Sequence, residues 1–365
     1  MSTSRHLADN PTFVIAEAGV NHNGSLDLAL QLVDVAADAG ADAVKFQTFK
    51  AENGVTKSAT KAEYQKQTTG SETSQYEMLK KLELDDAMHQ ALARHCVERD
   101  IEFMSTAFDP DGLSYLIDVI GVSRLKISSG EITNAALLFH AGRSGKPVIL
   151  STGMSTLDEV ESALGVLAFG YMGGDMPPDA AGFEAAFASS AGMAALVENV
   201  SLLHCTTEYP TPFEDVNLRA MATLKNRFGL VAGYSDHSSG ITVPVAAVAL
   251  GARICEKHFT ISRTLPGPDH AASLEPAELG RMIQSIREVE AALGSSDKVP
   301  TPSEYKNISV VRKSLVAATD IAAGELFNSI NLGIKRPGEG RSPMSYWDVL
   351  GQPSGRAYSK DEYID

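Results

Sequence analysis

Eight short apolar runs recur along this chain, each ending in polar residues able to do chemistry, and a helix-like stretch usually follows. The runs are FVIAEAG from Phe13, AVKFQTF from Ala43, IEFMSTAF from Ile101, RLKISSGE from Arg124, PVILSTG from Pro147, VSLLHCT from Val200, LVAGYSDH from Leu230 and ICEKHFT from Ile254. Strand alternating with helix eight times predicts an α/β chain closed into a (β/α)8 TIM barrel. The C-terminal strand ends of such a barrel form the floor of an active site. The ordering puts Glu17, Lys45, Gln47, Ser105, Lys126, Glu131, Ser151, Thr206, Ser235, His237, Glu256 and His258 around one mouth. Lysines, histidines, carboxylates and hydroxyls converging on one cavity point to an enzyme.

Between the strands, Ser25–Ala39, Leu84–Arg99, Thr156–Ala168, Asn217–Phe228 and Glu275–Leu293 read as amphipathic helices. Two connections are long. Lys50–Lys81 is polar and, at a barrel mouth, is expected to form a lid or a substrate wall. Gly170–Met193, rich in Gly, Ala and Pro, reads as a flexible insertion away from the chemistry. A Gly-Ser-Pro cluster after the eighth helix marks a linker, so the expected division is a barrel over 1–294, a linker over 295–306 and a small β-rich domain over 307–365. A domain of about sixty residues has a marginal core of its own and is expected to dock on another surface.

Composition narrows the partners. A formal charge of −15 leaves no broad basic face for nucleic acid or an anionic membrane. No stretch approaches the roughly 18 apolar residues of a membrane span, and the start, MSTSRHLADNPT, lacks the apolar core of a signal peptide. A cytoplasmic protein is expected. Cys96, Cys205 and Cys255 form no CxxC pair and read as buried free thiols of a reducing compartment.

Of the mouth residues, His237 and His258 end consecutive strands. Two neutral imidazoles, completed by water or substrate oxygens, suit a divalent first-row cation such as Mn2+ that polarises a carbonyl. Asp236 and Glu256 beside them are candidates to orient the rings. Lys45 and Lys126 are ammonium groups in apolar strands, so each needs an anion. Either Glu17 and Glu131 pair with them, or a bound phosphate and carboxylate do, with Ser151, Ser235 and the Ser128–Gly130 backbone completing a phosphate seat. Glu17 and Glu131 are candidate acid–base groups. The rigid loop His204–Pro212 presents Thr207 and Tyr209, and the Pro266–His270 turn puts Asp269 within reach of a sugar hydroxyl. In the first loop, Asn21, His22 and Asn23 either line the mouth or form its turn.

Taken together, the stretches IAEAGVNHNGS, AVKFQTFKAE, KAEYQKQTTGSETSQYEMLKKLEL, LKISSGEITN, ILSTGMST, LLHCTTEYPTPFEDVNLRAM, GYSDHSSG, EKHFTISRTLPGPDHAASLEP and IKRPGEGRSPM resemble the sialic acid synthase family. That family makes nonulosonic acids from phosphoenolpyruvate (PEP) and an N-acetylated hexose. The resemblance implies a barrel followed by an antifreeze-like (SAF) domain, and a domain-swapped homodimer in which Arg336 reaches the sugar bound by the other subunit. It further implies His237 and His258 as ligands of Mn2+ (Mg2+ or Co2+ as alternatives), and Lys45, Lys126, Ser151, Ser235 and Thr207 as the PEP contacts. Gln47, Tyr209 and Asp269 would line the sugar side, and Glu17 and Glu131 would be the catalytic carboxylates, with Glu131 favoured as base. N-acetylmannosamine is the expected sugar, with N-acetylneuraminate and phosphate as products. The alternatives are a legionaminic acid synthase taking 2,4-diacetamido-2,4,6-trideoxymannose and, outside the family's chemistry, a Schiff-base aldolase using Lys126 or Lys45. A non-catalytic sugar sensor would leave those lysines and carboxylates without a task.

Overall fold

The computed structural model describes residues 11–174 and 177–365. Eight parallel strands close into a barrel: β1 Phe13–Gly19, β2 Ala43–Thr48, β3 Glu102–Ala107, β4 Leu125–Ile127, β5 Val148–Ser151, β6 Val200–His204, β7 Val231–Asp236 and β8 Ile254–His258. Strand alternation sorts their residues into two populations. Val14, Ala16, Val44, Phe46, Phe103, Leu125, Ile127 and Leu150 face outward and form the main core with the helices. Ile15, Ala43, Met104, Ile149, Leu203 and Ile254 face inward and plug the barrel as a separate apolar cluster. The next inward residue of most strands is polar or charged. The barrel is therefore filled with hydrocarbon below and lined with chemistry above.

The helices start where side chains can satisfy their free N–H groups. Ser25 accepts from the Leu28 N–H at 3.3 Å, Asp85 from that of Met88 at 2.8 Å, and Thr156 forms a reciprocal cap with Glu159. Between strands β4 and β6 the helices Ala135–Arg143 and Leu157–Met172 cross at glycines. A Cβ on Gly142 would stand 2.7 Å from the Leu167 carbonyl oxygen, so the contact requires glycine there.

Gly170–Met193 departs from the expectation of a flexible insertion. It contains the helix Ala180–Ala188 and the start of the helix Ser190–Asn199, capped by Asp179 and Ser189 and packed against Leu157–Met172. The alanines that suggested flexibility are strong helix formers, and Phe183 anchors the first helix edge-on to Phe169 at 5.3 Å. Asp175 and Met176 of this stretch lie outside the described residues. Among the described residues no single helix is long and apolar enough to cross a membrane.

The Lys50–Lys81 connection folds into three short helices, Ala51–Gly54, Glu63–Thr69 and Gln75–Lys80. Buried Lys61 ties it together by donating to the Thr69 hydroxyl at 3.0 Å, the Gly70 carbonyl at 2.8 Å and the Thr73 hydroxyl at 2.8 Å. Beneath it Met78 and Leu82 pack on Val20 and Phe49.

The chain divides into two compact units, Met1–Gly294 and Ser295–Asp365. Within the second, the helix Pro302–Val311 begins inside the stretch read as linker. Antiparallel strands β9 Ser314–Ala317 and β10 Leu332–Lys335 then enclose a small core of Leu315, Ile321, Phe327, Leu332, Val349, Tyr358 and Ile364.

Candidate active site

The register of the barrel decides which side chains meet. Glu17 on β1 lies opposite Lys45 on β2 and opposite His258 on β8, while Ser235 on β7 lies opposite Glu256 on β8. The result is a buried chain of alternating charge. Glu17 Oε2 stands 2.7 Å from Lys45 Nζ, Lys45 Nζ is 3.6 Å from Glu256 Oε2, and Glu256 Oε1 is 3.6 Å from Lys126 Nζ. Hydroxyls complete it: Lys45 donates to Thr106 at 3.1 Å, Lys126 to Ser151 at 2.7 Å, and Ser235 donates to Glu256 at 2.8 Å. All four charged groups are buried.

Burial and neighbours push the two carboxyls apart. Desolvation raises Glu17 to about 7, with Lys45 only partly offsetting it and the Glu256 charge adding to it. Burial acts on Glu256 too, but Lys126 and Lys45 on either side overcome it and hold that carboxyl at about 2. Burial works against the Lys45 ammonium, yet Glu17 and Glu256 keep it above its ordinary value. Lys126 is lowered, burial and the Lys45 charge prevailing over Glu256. One fixed carboxylate between two lysines, beside a second carboxyl that burial raises to about 7, leaves net positive charge for an anionic substrate.

The imidazoles stand beside this chain, ring centroids 5.5 Å apart. His237 Nδ1 donates to the Thr206 carbonyl at 2.7 Å. Nε2 is therefore the bare nitrogen, and the Tyr209 hydroxyl donates to it at 3.1 Å. His258 Nδ1 is buried without a hydrogen-bond partner. Burial lowers both rings, His258 further because of the neighbouring His237 and Lys45, so both are neutral, the form that binds metals. No cluster of three or more His, Cys, Asp or Glu is arranged for a metal among the described residues. The donor set fits a cation held by two imidazoles and otherwise by oxygens of substrate or water.

These groups share a cavity of about 270 Å3, which Gln47, Thr207, Tyr209 and Asp269 also line. Of the sequence-predicted site residues in the barrel, the structure thus brings together all but Ser105, Glu131 and Thr206. Glu131 is carried past the rim by the turn Ser129–Glu131, which directs Ser128, Ser129 and Gly130 inward. Its carboxylate accepts from Asn134 Nδ2 at 2.8 Å, in the cap of the following helix. Arg336 is exposed on the second unit, directly after β10. Three neighbours also differ by one position, because alternate strand residues face opposite ways. Thr106 lines the cavity while Ser105 faces out to the Thr48 hydroxyl at 2.7 Å. Cys205 and Thr207 flank the cavity, whereas Thr206 bonds the Asp215 carbonyl. Asp236 points away from the histidine it was expected to orient and pairs with Lys257.

Glu256 is the carboxylate that sequence reasoning undervalued, although its spacing two residues before His258 is the signal that it faces inward. Tyr64, Gln65, Met78 and Leu79 of the β2 connection form a wall, with Tyr64 stacked on Tyr209 at 5.0 Å. Asp269 is buried, which raises its carboxyl to about 6. His22 forms the first turn, its Nδ1 accepting from the Gly24 N–H at 3.0 Å. All three cysteines are buried free thiols.

Residues 32–298 match the sequence model of the NeuB family and residues 312–365 that of the SAF domain. The chain is 47% identical over 353 residues to the N,N'-diacetyllegionaminic acid synthase of Campylobacter jejuni, covering 97% of this chain and 98% of that protein. It is 45% identical over 339 residues to the N,N'-diacetyllegionaminic acid synthase of Legionella pneumophila, covering 93% and 89%. Among solved structures, the N-acetylneuraminic acid (sialic acid) synthetase of Leptospira borgpetersenii in complex with citrate is similar at a TM-score of 0.67 and 36% identity, covering 82% of this chain and 90% of that one.

Proposed function

This chain belongs to the NeuB family, and from that membership we propose that it is a nonulosonic acid synthase whose product is N,N'-diacetyllegionaminic acid. It joins PEP, 2,4-diacetamido-2,4,6-trideoxymannose and water to give that acid and inorganic phosphate. N-acetylmannosamine, the sugar expected from the sequence motifs, gives way because the two legionaminic relatives are 47% and 45% identical while the N-acetylneuraminic acid synthetase is 36% identical. The observation that carries the chemistry is the placement of two ammonium groups and two bare imidazoles on one cavity floor.

The residues divide the work. Lys126, Ser151, Ser235 and Thr207 seat the phosphate of PEP, and Lys45 with Thr106 holds its carboxylate. Glu256 fixes both lysines, so the clamp is preorganised before substrate arrives. Gln47, Tyr209 and Asp269 orient the open-chain sugar so that its aldehyde carbon faces C3 of PEP. A divalent cation at His237 and His258, Mn2+ or alternatively Mg2+ or Co2+, supplies Lewis-acid polarisation of the aldehyde when bound. Carbon–carbon bond formation leaves positive charge at C2, which the carboxylates stabilise and water captures. Glu17, buried and poised near neutrality, takes the proton from that water in place of Glu131, which does not line the cavity. Phosphate then leaves with its bridging oxygen. The enzyme works in the cytoplasm as a swapped homodimer in which Arg336 of the second unit completes the partner's sugar site.

Phosphate release from PEP, measured with each sugar in turn, tests the assignment. A sugar lacking the second acetamido group leaves its buried polar partners unsatisfied at a cost of roughly 1–3 kcal/mol, so kcat/KM is expected to be about 10–100-fold higher with the diacetamido sugar. Equal or faster turnover with N-acetylmannosamine would overturn it.

A further inference from the structure

The most deeply buried ion pair of the barrel belongs to neither the anion clamp nor the sugar wall. Lys257 on β8 and Asp236 on β7 lie opposite each other in the ladder on the outer face of the sheet, with Nζ 2.5 Å from Asp236 Oδ2 and both side chains fully buried. Lys257 also donates to the Ser238 carbonyl, and Asp236 Oδ1 accepts from the Ser238 N–H at 3.0 Å. The three contacts close a ring around the 236–238 turn, and His237 is the residue inside it. On the other strand, Lys257 sits between Glu256 and His258. The pair therefore joins, from behind, the two backbone segments that carry the imidazoles in front.

Two buried charges are costly to desolvate, and well-packed apolar residues of similar size often give equal stability. Such a pair is a poor stabilising device and a good fixing device, because its directional bonds hold a carbonyl and a turn in one arrangement. The bonds to His237 itself agree with this: its carbonyl accepts from the Thr211 N–H at 2.9 Å and its Nδ1 donates to the Thr206 carbonyl. With the turn free to shift, the His237 ring would leave its place beside Tyr209 and His258.

We infer that Lys257 and Asp236 are positioning residues that set the separation and aim of His237 and His258 for cation binding. This rests on the metal reading above. The pair touches neither substrate nor the imidazoles and acts only through the strand ends.

The test uses the full-length protein and Mn2+ alone. In the double variant Asp236→Asn/Lys257→Met both charges go together and the Asn oxygen still accepts from Ser238. The unfolding temperature is expected to stay within a few degrees of the parent, while Mn2+ affinity, followed by the resonance of the free ion, falls about 10–100-fold. PEP affinity, measured by calorimetry in chelator, should stay within about twofold. Lys257→Met alone, which strands a buried carboxylate, should lose stability as well. Unchanged Mn2+ affinity in a folded double variant would overturn the inference, as would equal loss of Mn2+ and PEP. A parent protein that takes up no Mn2+, Co2+ or Mg2+ would instead sink the metal reading and the inference with it.

Discussion

Glu17 meets Lys45 at 2.7 Å in a buried ion pair, and yet its carboxyl is raised to about 7. Desolvation and the neighbouring Glu256 charge outweigh the lysine, which is itself shared with Glu256. A carboxyl balanced this way can accept a proton at neutral pH, where an ordinary surface glutamate is already a weak base.

The pH profile follows. The working form of Glu17 is the carboxylate, so kcat/KM should fall as pH drops below about 7, the direction set by its raised value. Glu17→Gln should lower kcat by at least about 100-fold, in keeping with the typical contribution of a general base. Its profile should lose the limb near 7 and retain only one near 6 from Asp269. Phosphate release measured from pH 5 to 9 checks this. A variant that keeps the parent's limb would assign the proton transfer to another group.

Metal dependence gives a second expectation. Because His237 is locked with Nε2 bare, His237→Ala should remove one of the two protein ligands while leaving the barrel plug and the lysine clamp in place. Turnover should become undetectable, Mn2+ uptake should fall by more than 100-fold, and the thermal unfolding midpoint should move by only a few degrees. Chelator treatment of the parent should likewise abolish activity, and Mn2+ should restore it. Near-normal phosphate release by His237→Ala would remove the metal from the mechanism.

Lys126 provides a third. Its ammonium is lowered by burial, the property of a Schiff-base lysine, but its Nζ donates to Ser151 and lies beside Glu256 rather than standing free. Borohydride added with pyruvate or with the nonulosonic acid should trap no adduct, read as unchanged intact mass. A stable mass increase lost in Lys126→Met would restore the aldolase alternative.

The parts of the site that were legible in the sequence are those written in period two. Ile15–Glu17, Ala43–Lys45–Gln47, Ile149–Ser151 and Ile254–Glu256–His258 each step from an apolar plug residue to a polar rim residue, so strand and inward face could be read together. Where the strand ends in a turn the period is lost. Thr206 lies past the end of β6, one residue from the lining pair Cys205 and Thr207, and the turn after Ile127 leaves Glu131 off the cavity lining. Ser105, by contrast, lies inside β3, where inward-facing Met104 already implies Thr106 instead. Asp236 stands next to a histidine in sequence, which suggests it as that ring's partner, although adjacent strand residues face opposite sides. The wall from Tyr64 to Leu79 depends on Lys61 and on packing against Val20 and Phe49, long-range contacts that no local pattern announces.

Arg336 supplies the last expectation. Neighbouring cations of the second unit are engaged: Lys335 with Asp361, Arg341 with the Asp365 carbonyl, and Arg356 with Glu362 and Asp365. The exposed Arg336 guanidinium makes no ion pair or hydrogen bond with any described residue, so it is available to a group outside its own unit. A charged hydrogen bond is worth roughly 1.5–3 kcal/mol. If Arg336 reaches the sugar held by a partner subunit, Arg336→Ala should raise the sugar KM about 10–100-fold and change the PEP KM less than about threefold. Mixing Arg336→Ala with the inactive His237→Ala protein adds a sharper readout. If the arginine acts across the dimer, a dimer exchanged between the two carries one site with both the histidine and the partner's arginine, and one site with neither. Activity at low sugar concentration in the mixture should then rise above that of the Arg336→Ala protein alone. If it acts within its own subunit, no site gains both groups and activity stays at or below the Arg336→Ala level; the converse sample is the double variant Arg336→Ala/His237→Ala mixed with the parent. There the parent's histidine site faces a partner lacking the arginine, and its sugar KM should rise toward that of Arg336→Ala. A parent KM unaltered in exchanged dimers would place Arg336 outside the partner's site.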